Sequence, residues 1–428
     1  MSQSAQTLRH RSRRPAVCLR ALSVAAIALG LTAGASTAGT DEPRQRARDL
    51  GIVIGRYQPG PLNAITDVAG VTVGQVTLMK GQGTLKPGEG PVRTGVTVVI
   101  PRNDVWHKNV PAASFVLNGT GEMTGLAWVA ESGFLEYPIA LTNTLNVPRV
   151  ANGVMSWMIA RYPDIGITDD TLTPVVAECD DSRLNDSQGR HVSEADVAAA
   201  LDGATGGPVA EGAVGAGTGM VSYGFKGGIG TASRRLPAEE GGYTVGVLVN
   251  ANHGRREELV VAGVPVGKLY DKGPGPQHSR SPGGTNDGLV SRDAVAAREP
   301  WLSAQEGSII ILIATDAPLD ARQLGRVAKR ASLGLARTGS TARHGSGDFL
   351  LAFSTGNTIP HYPKDQTFAM THVADTHLNP VFSATVEATE EAILNALTMA
   401  VTVEGRDGRR VEALSLSRLK TLLQHAVQ

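Results

Sequence analysis

Aromatic residues make up only 4% of this 428-residue chain, and cysteines number two. So few rings argue against a face of stacked aromatics that would hold nucleic-acid bases. Charge of one sign is missing too, because Lys+Arg and Asp+Glu balance at 40 each. No bulk field draws in nucleic acid or anionic lipid, and nucleic acid is set aside as a partner. Cys18 falls within an N-terminal segment that reads as an export signal, which leaves Cys179 alone in a mature chain. No internal disulfide can then form, and a lone cysteine reads as a small buried hydrophobe. There is no Gly-x-Ser-x-Gly elbow with a partner set, no His-Glu-x-x-His metal motif and no internal repeat.

The export reading rests on residues 1–40. Arg9, Arg11, Arg13, Arg14 and Arg20 precede an uncharged, mostly apolar run from Ala21 to Ala33, followed by the small residues Ala33-Gly34-Ala35 and Ser36-Thr37-Ala38. The run is short against the roughly 20 residues of a membrane span. A periplasmic or secreted destination is expected, with no stable membrane insertion once the signal is removed. Residues Asp41 to Asp49 read as a charged linker.

Glycine is abundant, at 51 residues, and the body of the chain alternates short strands with helices. Strands are expected over Thr94–Ile100, Ser114–Leu117, Pro138–Asn143, Pro174–Glu178, Tyr243–Asn252 and Phe349–Ser354. Helices are expected over Met123–Glu131, Asn152–Arg161, Ser193–Leu201, Asp320–Arg337, Val386–Val401 and Leu416–Ala426. Met220–Phe225 and Gly228–Arg234 are expected to pair with each other. Lys226-Gly227-Gly228-Ile229-Gly230-Thr231 lacks the order of a phosphate loop and reads as tight strand packing. Asp271–Gly288 has almost no apolar residue and reads as a mobile segment. Strands and helices in both halves favour an α/β layered sandwich over a bundle.

Chemistry concentrates where Ala304-Gln305-Glu306-Gly307-Ser308 runs into Ile309-Ile310-Ile311-Leu312-Ile313-Ala314-Thr315. Gly307 lets the chain bend sharply and offer its carbonyl to the Ser308 hydroxyl. Cleavage of that bond by its own serine would release a chain starting at Ser308. Its α-amine, with an ordinary pKa of about 7.7 to 8.0, suits a general base. The plainer reading is that Ser308 merely opens a buried strand. Asn252, at a strand end, offers an amide to a developing oxyanion. Ser346 could relay a proton or orient the amine, with Asp348 polarising it, and Glu178 could grip a substrate ammonium. His361, His372, His377 and Asp375 cluster in sequence, but their spacing matches no compact zinc pattern, and no metal site is expected.

Several strings, taken in order, resemble the self-processing family of L-aminopeptidase D-amidase/esterases, which includes the β-peptidyl aminopeptidases. They include Leu62-Asn63-Ala64-Ile65-Thr66-Asp67-Val68-Ala69-Gly70-Val71, Arg93-Thr94-Gly95-Val96-Thr97, Asn118-Gly119-Thr120-Gly121-Glu122-Met123-Thr124-Gly125-Leu126 and Lys226 to Thr231. Glu178 through Leu184-Asn185-Asp186 and Ala328-Lys329-Arg330-Ala331-Ser332-Leu333-Gly334-Leu335 extend the match from about Arg48 to about Met399. The resemblance implies that Ser308 is the nucleophile and that Gly307-Ser308 is the bond the precursor cuts. It implies an α chain of residues 41–307 and a β chain of residues 308–428. Asn252 would line the oxyanion hole, Ser346 and Asp348 would stand near the nucleophile, and Glu178 would bind the substrate's amino group. Asp180 departs from some members, which carry an aromatic hydroxyl there; this puts a second oxyanion contact and the substrate preference in doubt. The implied fold is a four-layer αββα sandwich similar to N-terminal-nucleophile hydrolases, assembled as an oligomer of αβ units without a cofactor. The expected function is a hydrolase that takes N-terminal residues from small peptides, amides or esters. A related acyltransferase and an uncut periplasmic binding protein are the alternatives.

Overall fold

The computed structural model describes residues 42–270 and 307–426. The export segment and Asp271–Gly288 lie outside the described residues. In chain order the strands are β1 (Thr72–Lys80), β2 (Val92–Ile100), β3 (Lys108–Gly119), β4 (Phe134–Leu135), β5 (Ile139–Thr142), β6 (Val175–Glu178), β7 (Val221–Ser222), β8 (Phe225–Lys226), β9 (Gly228–Arg235), β10 (Thr244–His253), β11 (Gly307–Thr315), β12 (Gly347–Ser354), β13 (Ile359–Pro360), β14 (Val403–Glu404) and β15 (Arg410–Val411). The helices are α1 (Leu126–Ser132), α2 (Val147–Arg161), α3 (Glu194–Asp202), α4 (Val266–Tyr270), α5 (Ala321–Arg337), α6 (Asn379–Thr398) and α7 (Leu416–Ala426).

Two sheets form the centre. The smaller runs β1-β2-β5-β6, and the larger runs β13-β3-β12-β11-β10-β9 with β4 added to β3. In the larger sheet β11 and β12 are parallel, whereas β11 and β10, β10 and β9, and β12 and β3 are antiparallel. Strand alternation distributes β10, β11 and β12 between two cores. Leu248, Ile310, Leu312, Phe349 and Leu351 face the smaller sheet. Val247, Val249, Ile309, Ile311 and Leu350 face α5 and α6. Both faces of β11 are therefore covered, which is why its run is continuously apolar rather than alternating. Helices α2 and α3 pack on the outside of the smaller sheet, and α5 and α6 on the outside of the larger one. The result is the expected four-layer αββα sandwich.

Local chemistry sets the long helices. Asp320 accepts from the Gln323 amide at 2.7 Å, while Gln323 Oε1 accepts from the Asp320 amide at 3.3 Å, closing a capping box at the start of α5. Leu324, Val327, Ala328, Ala331 and Leu335 form its buried stripe. Helix α6 starts at Asn379, seven residues before the expected Val386, with Pro380 in its first turn. Helix α2 likewise starts at Val147 rather than Asn152, with Pro148 in its first turn, and α1 begins only at Leu126.

Two sequence expectations are corrected. Gly228–Arg234 does not pair with Met220–Phe225: β7 and β8 form their own two-residue hairpin, and β9 pairs with β10. β10 takes one edge of β9, and on the other edge Ile229 exchanges hydrogen bonds with Gly212 at 2.7 and 3.0 Å. The described part of the "linker" is also no linker. Arg48 pairs with the buried Glu391 at 3.0 Å and Arg46 with Glu211 at 2.7 Å, so the charges point inward to carboxylates far along the chain.

Candidate active site

Strand ends of both sheets meet at one place. In β10 and β11, Asn252 stands directly opposite Ser308 and His253 opposite Gly307. In β12, Gly347 stands opposite Ser308, and Asp348 opposite Ile309. Residues directly opposite on antiparallel strands bring their Cβ atoms to about 4.5–5.5 Å. The Asn252 amide is therefore within reach of the Ser308 hydroxyl's surroundings, and both side chains are buried, at 7% exposure each.

Gly307 has φ +73°, in the left-handed region. A Cβ there would lie 2.0 Å from the Asn252 carbonyl oxygen and 2.6 Å from the His253 Cα. Only glycine fits this bend at the bond before Ser308. A Cβ on Gly347 would lie 2.2 Å from the Thr120 carbonyl oxygen and 3.1 Å from Ser308 Oγ. Glycine there lets the Thr120 main chain pack directly against β12 beside the Ser308 hydroxyl.

Asn252 is held in one orientation. Its Oδ1 accepts from the Val221 amide at 2.7 Å, and its Nδ2 donates to the Asp180 carbonyl at 3.0 Å. A side-chain amide has two N–H groups, so one is left for an oxyanion. Asp180 thus contributes through its main chain. Its exposed carboxylate turns back to accept from the Ser182 amide at 2.8 Å and hydroxyl at 2.9 Å.

The structure joins Ser346 to Asp348, with the hydroxyl donating to Oδ1 at 2.6 Å. Alternation places Ser308 and Gly347 on the face toward the smaller sheet, and Ile309 and Asp348 on the helix-covered face. Asp348 therefore belongs with the start of the strand, where the Ser308 nitrogen lies, rather than with the Ser308 hydroxyl. Burial pushes the Asp348 carboxyl up to about 6, against the opposing hydrogen bonds from Ser346 and the Ile309 amide. Its Oδ2 has no partner among the described residues.

Glu178 closes β6 and is buried, not a surface acid. Its Oε1 accepts from the Glu122 amide at 3.1 Å and its Oε2 from the Thr144 hydroxyl. Burial raises its pKa, the Thr144 and Glu122 hydrogen bonds oppose this, and nearby Asp180 and Asp181 push the same way as burial. A carboxylate under that pressure gains from an incoming ammonium. Two residues on, the Asp180 carbonyl touches Asn252, so the acid and the amide are set by one short stretch. Cys179 between them is buried, its thiol 3.6 Å from the Asn250 carbonyl, and burial raises its pKa well above the ordinary thiol value. It is an inert core residue.

Sequence reasoning missed Thr144, the Val221 amide and His253. His253 is buried beside Tyr223, with ring centroids 4.9 Å apart, and burial lowers its pKa to about 3, so it is a neutral imidazole. No pattern in sequence marks any of the three, because each matters through a contact made across chain. The histidines near the C-terminal third separate: His361 lies 3.3 Å from Glu136, and His372 lies 3.5 Å from Asp320. Among the described residues no group of three metal-ligating side chains forms.

Comparison with known proteins shows the family. The profile of peptidase family S58 matches residues 63–411. The chain is similar to the beta-peptidyl aminopeptidase BapA of Sphingosinicella xenopeptidilytica, at 44% identity over 93% of this chain and 94% of that protein. Among solved structures it resembles a beta-aminopeptidase of Burkholderia sp., with TM-score 0.77 and 44% identity over 89% of this chain and 99% of the other. It also resembles the L-aminopeptidase D-Ala-esterase/amidase of Ochrobactrum anthropi, a serine aminopeptidase with a variant of the Ntn hydrolase fold, with TM-score 0.76 and 41% identity over 89% and 99%. The chain belongs to peptidase family S58 and is a hydrolase of the aminopeptidase and amidase kind.

Proposed function

We propose that the chain is an exported precursor that cuts its own Gly307-Ser308 bond. It then removes N-terminal residues from small peptides, amides or esters through an acyl-enzyme on Ser308. The observation that carries this reading is the left-handed Gly307 directly before a buried serine whose cross-strand partner is an oriented asparagine amide.

In the precursor, the Ser308 hydroxyl attacks the Gly307 carbonyl, and its proton passes to the departing Ser308 nitrogen. The peptide becomes an ester. Water then divides that ester, leaving a carboxylate on Gly307 and a free amine and hydroxyl on Ser308. During turnover the new amine takes the hydroxyl proton as the hydroxyl attacks a substrate carbonyl. The free N–H of Asn252 receives the oxyanion, a contact worth about 10²–10³ in kcat in other hydrolases. The leaving amine departs protonated, and water releases the acid. Glu178 holds the substrate's ammonium, which fixes the reacting carbonyl within one residue of the N-terminus. Ser346 and Asp348 hold the start of β11, where the amine emerges.

Residues 41–307 would form the α chain and residues 308–428 the β chain, joined through the nine-residue β10–β11 ladder and assembled as an oligomer of αβ units in the periplasm or outside the cell. Ser308→Ala tests the reading. It is expected to leave a full-length chain without hydrolysis of an amino-acid anilide. A cleaved, active Ser308→Ala protein would remove the nucleophile from the account.

A further inference from the structure

Among the described residues Arg234 and Lys226 are fully buried cations; Arg234 is paired with Glu387 and Glu391, whereas Lys226 is bound to main chain and the reaction as described leaves it without a task. Lys226, in β8, is fully buried. Its Nζ donates to three main-chain carbonyls, those of Gly217 at 2.9 Å, Met220 at 2.8 Å and Gly227 at 2.9 Å. Three acceptors ask for three N–H groups, and only the ammonium form has three; a neutral amine would turn its lone pair toward a carbonyl oxygen. Burial works against that charge and pulls the Lys226 pKa down to about 7, with Asp181 acting the other way. Asp181 is itself bound by Asn143, Asn185 and Ser187, and so supports Lys226 through space only. The Lys226 amide donates to the Glu412 carbonyl at 2.8 Å, and its main chain stands opposite Val221 in the β7–β8 pair.

The three carbonyls belong to one bend. The Met220 amide bonds back to the Gly217 carbonyl at 3.2 Å, and the Gly227 amide to the Met220 carbonyl at 3.1 Å, so residues 217–227 wrap around the ammonium. Within that bend, directly after Met220, stands Val221, whose amide donates to Asn252 Oδ1. Without that donor Asn252 Oδ1 has no other partner among the described residues, and only the Nδ2 bond to the Asp180 carbonyl holds the side-chain amide, which no longer fixes where its second N–H points.

We infer that Lys226 is a positioning residue for the oxyanion donor: its ammonium gathers the Gly217, Met220 and Gly227 carbonyls, and the bend so formed holds the Val221 amide on Asn252. This rests on the proposed oxyanion role of Asn252. Lys226 does not touch substrate, and it acts on the chemical step through two intervening groups. A buried charge kept only for stability would act on the whole fold. A charge kept for Asn252 acts on kcat and only while Asn252 is present.

A double-mutant cycle separates the two. Lys226→Met, Asn252→Ala and the double variant are compared with the wild type by kcat and KM on an amino-acid para-nitroanilide, with thermal unfolding recorded alongside. Lys226→Met is expected to lower kcat about tenfold with KM within twofold. In the Asn252→Ala background it is expected to cause no further loss, since contacts that act as a unit are not additive. An equal loss of kcat with and without Asn252, or no loss in either, overturns the inference. Asn252→Ala with wild-type kcat instead overturns the oxyanion reading beneath it, so the two failures are distinguishable. If Lys226→Met does not fold, Lys226→Gln, which keeps two N–H donors, takes its place in the same cycle. Val221→Pro, which removes the donor at the first position of a short strand, is expected to reproduce the kcat loss; wild-type kcat there also overturns the inference.

Discussion

Gly307→Ala isolates the proposed self-cutting step from the enzyme it would produce. Alanine in the left-handed region costs about 1–2 kcal/mol. The larger cost is steric. The new Cβ would lie 2.0 Å from the Asn252 carbonyl oxygen, where a real contact needs more than 3.0 Å, so the start of β11 must retreat by about 1 Å. That retreat breaks the His253–Gly307 end of the β10–β11 ladder. It also carries the Gly307 carbonyl away from the Ser308 hydroxyl, and a 1 Å misplacement of reacting groups costs about 10²-fold in rate. Freshly folded precursor should therefore convert at least about a hundredfold more slowly, followed by intact mass over hours. Once cut, residue 307 is a chain end no longer tied to Ser308, and kcat per cut molecule should equal the wild type's. Conversion at the wild-type rate would refute the geometric argument. Normal conversion with reduced kcat would place Gly307 in turnover rather than in processing.

Other outcomes follow from the buried acids. Asp348 has its pKa raised to about 6, so the folded protein holds this proton more tightly than the unfolded chain; the stabilisation is present below about 4 and is lost as pH rises through about 6. Asp348→Asn keeps the acceptor for Ser346 and removes the charge. It should therefore be more stable to unfolding than the wild type at pH 7.5, by at most about 3 kcal/mol, with little difference near pH 4 and with reduced kcat. A variant less stable than the wild type at pH 7.5 contradicts this. Glu178→Gln should raise KM at least about tenfold for substrates with a free amine, since an ammonium would lose its charged partner. Equal losses on N-acylated substrates would assign Glu178 a structural task instead.

Much of this was readable from residues alone, and the reasons differ from place to place. The run from Ile309 to Thr315 declares a doubly covered strand because no polar residue interrupts it. Asp320 with Gln323 marks the start of α5. The four catalytic candidates stood out because serine, asparagine and aspartate at strand ends have little packing value there. What could not be read was register and distant pairing. Met220–Phe225 and Gly228–Arg234 alternate suitably for each other, yet β9 follows β10. Glu387 and Glu391 of α6 meet Arg234 in the interior at 3.2 and 2.7 Å, a pairing across more than 150 residues that no local pattern marks. Arg46 and Arg48 looked like linker charges for the same reason. Lys226 stood in a glycine-rich string whose meaning depended on three carbonyls that no spacing rule announces.

The central claim is that Ser308 is both the site of the cut and the nucleophile it creates. Intact mass spectrometry of the purified protein tests it most directly. The account predicts two chains held together under native conditions, the second beginning at Ser308. A single uncut chain that still hydrolyses an amino-acid anilide, or a second chain beginning at any other residue, would contradict it.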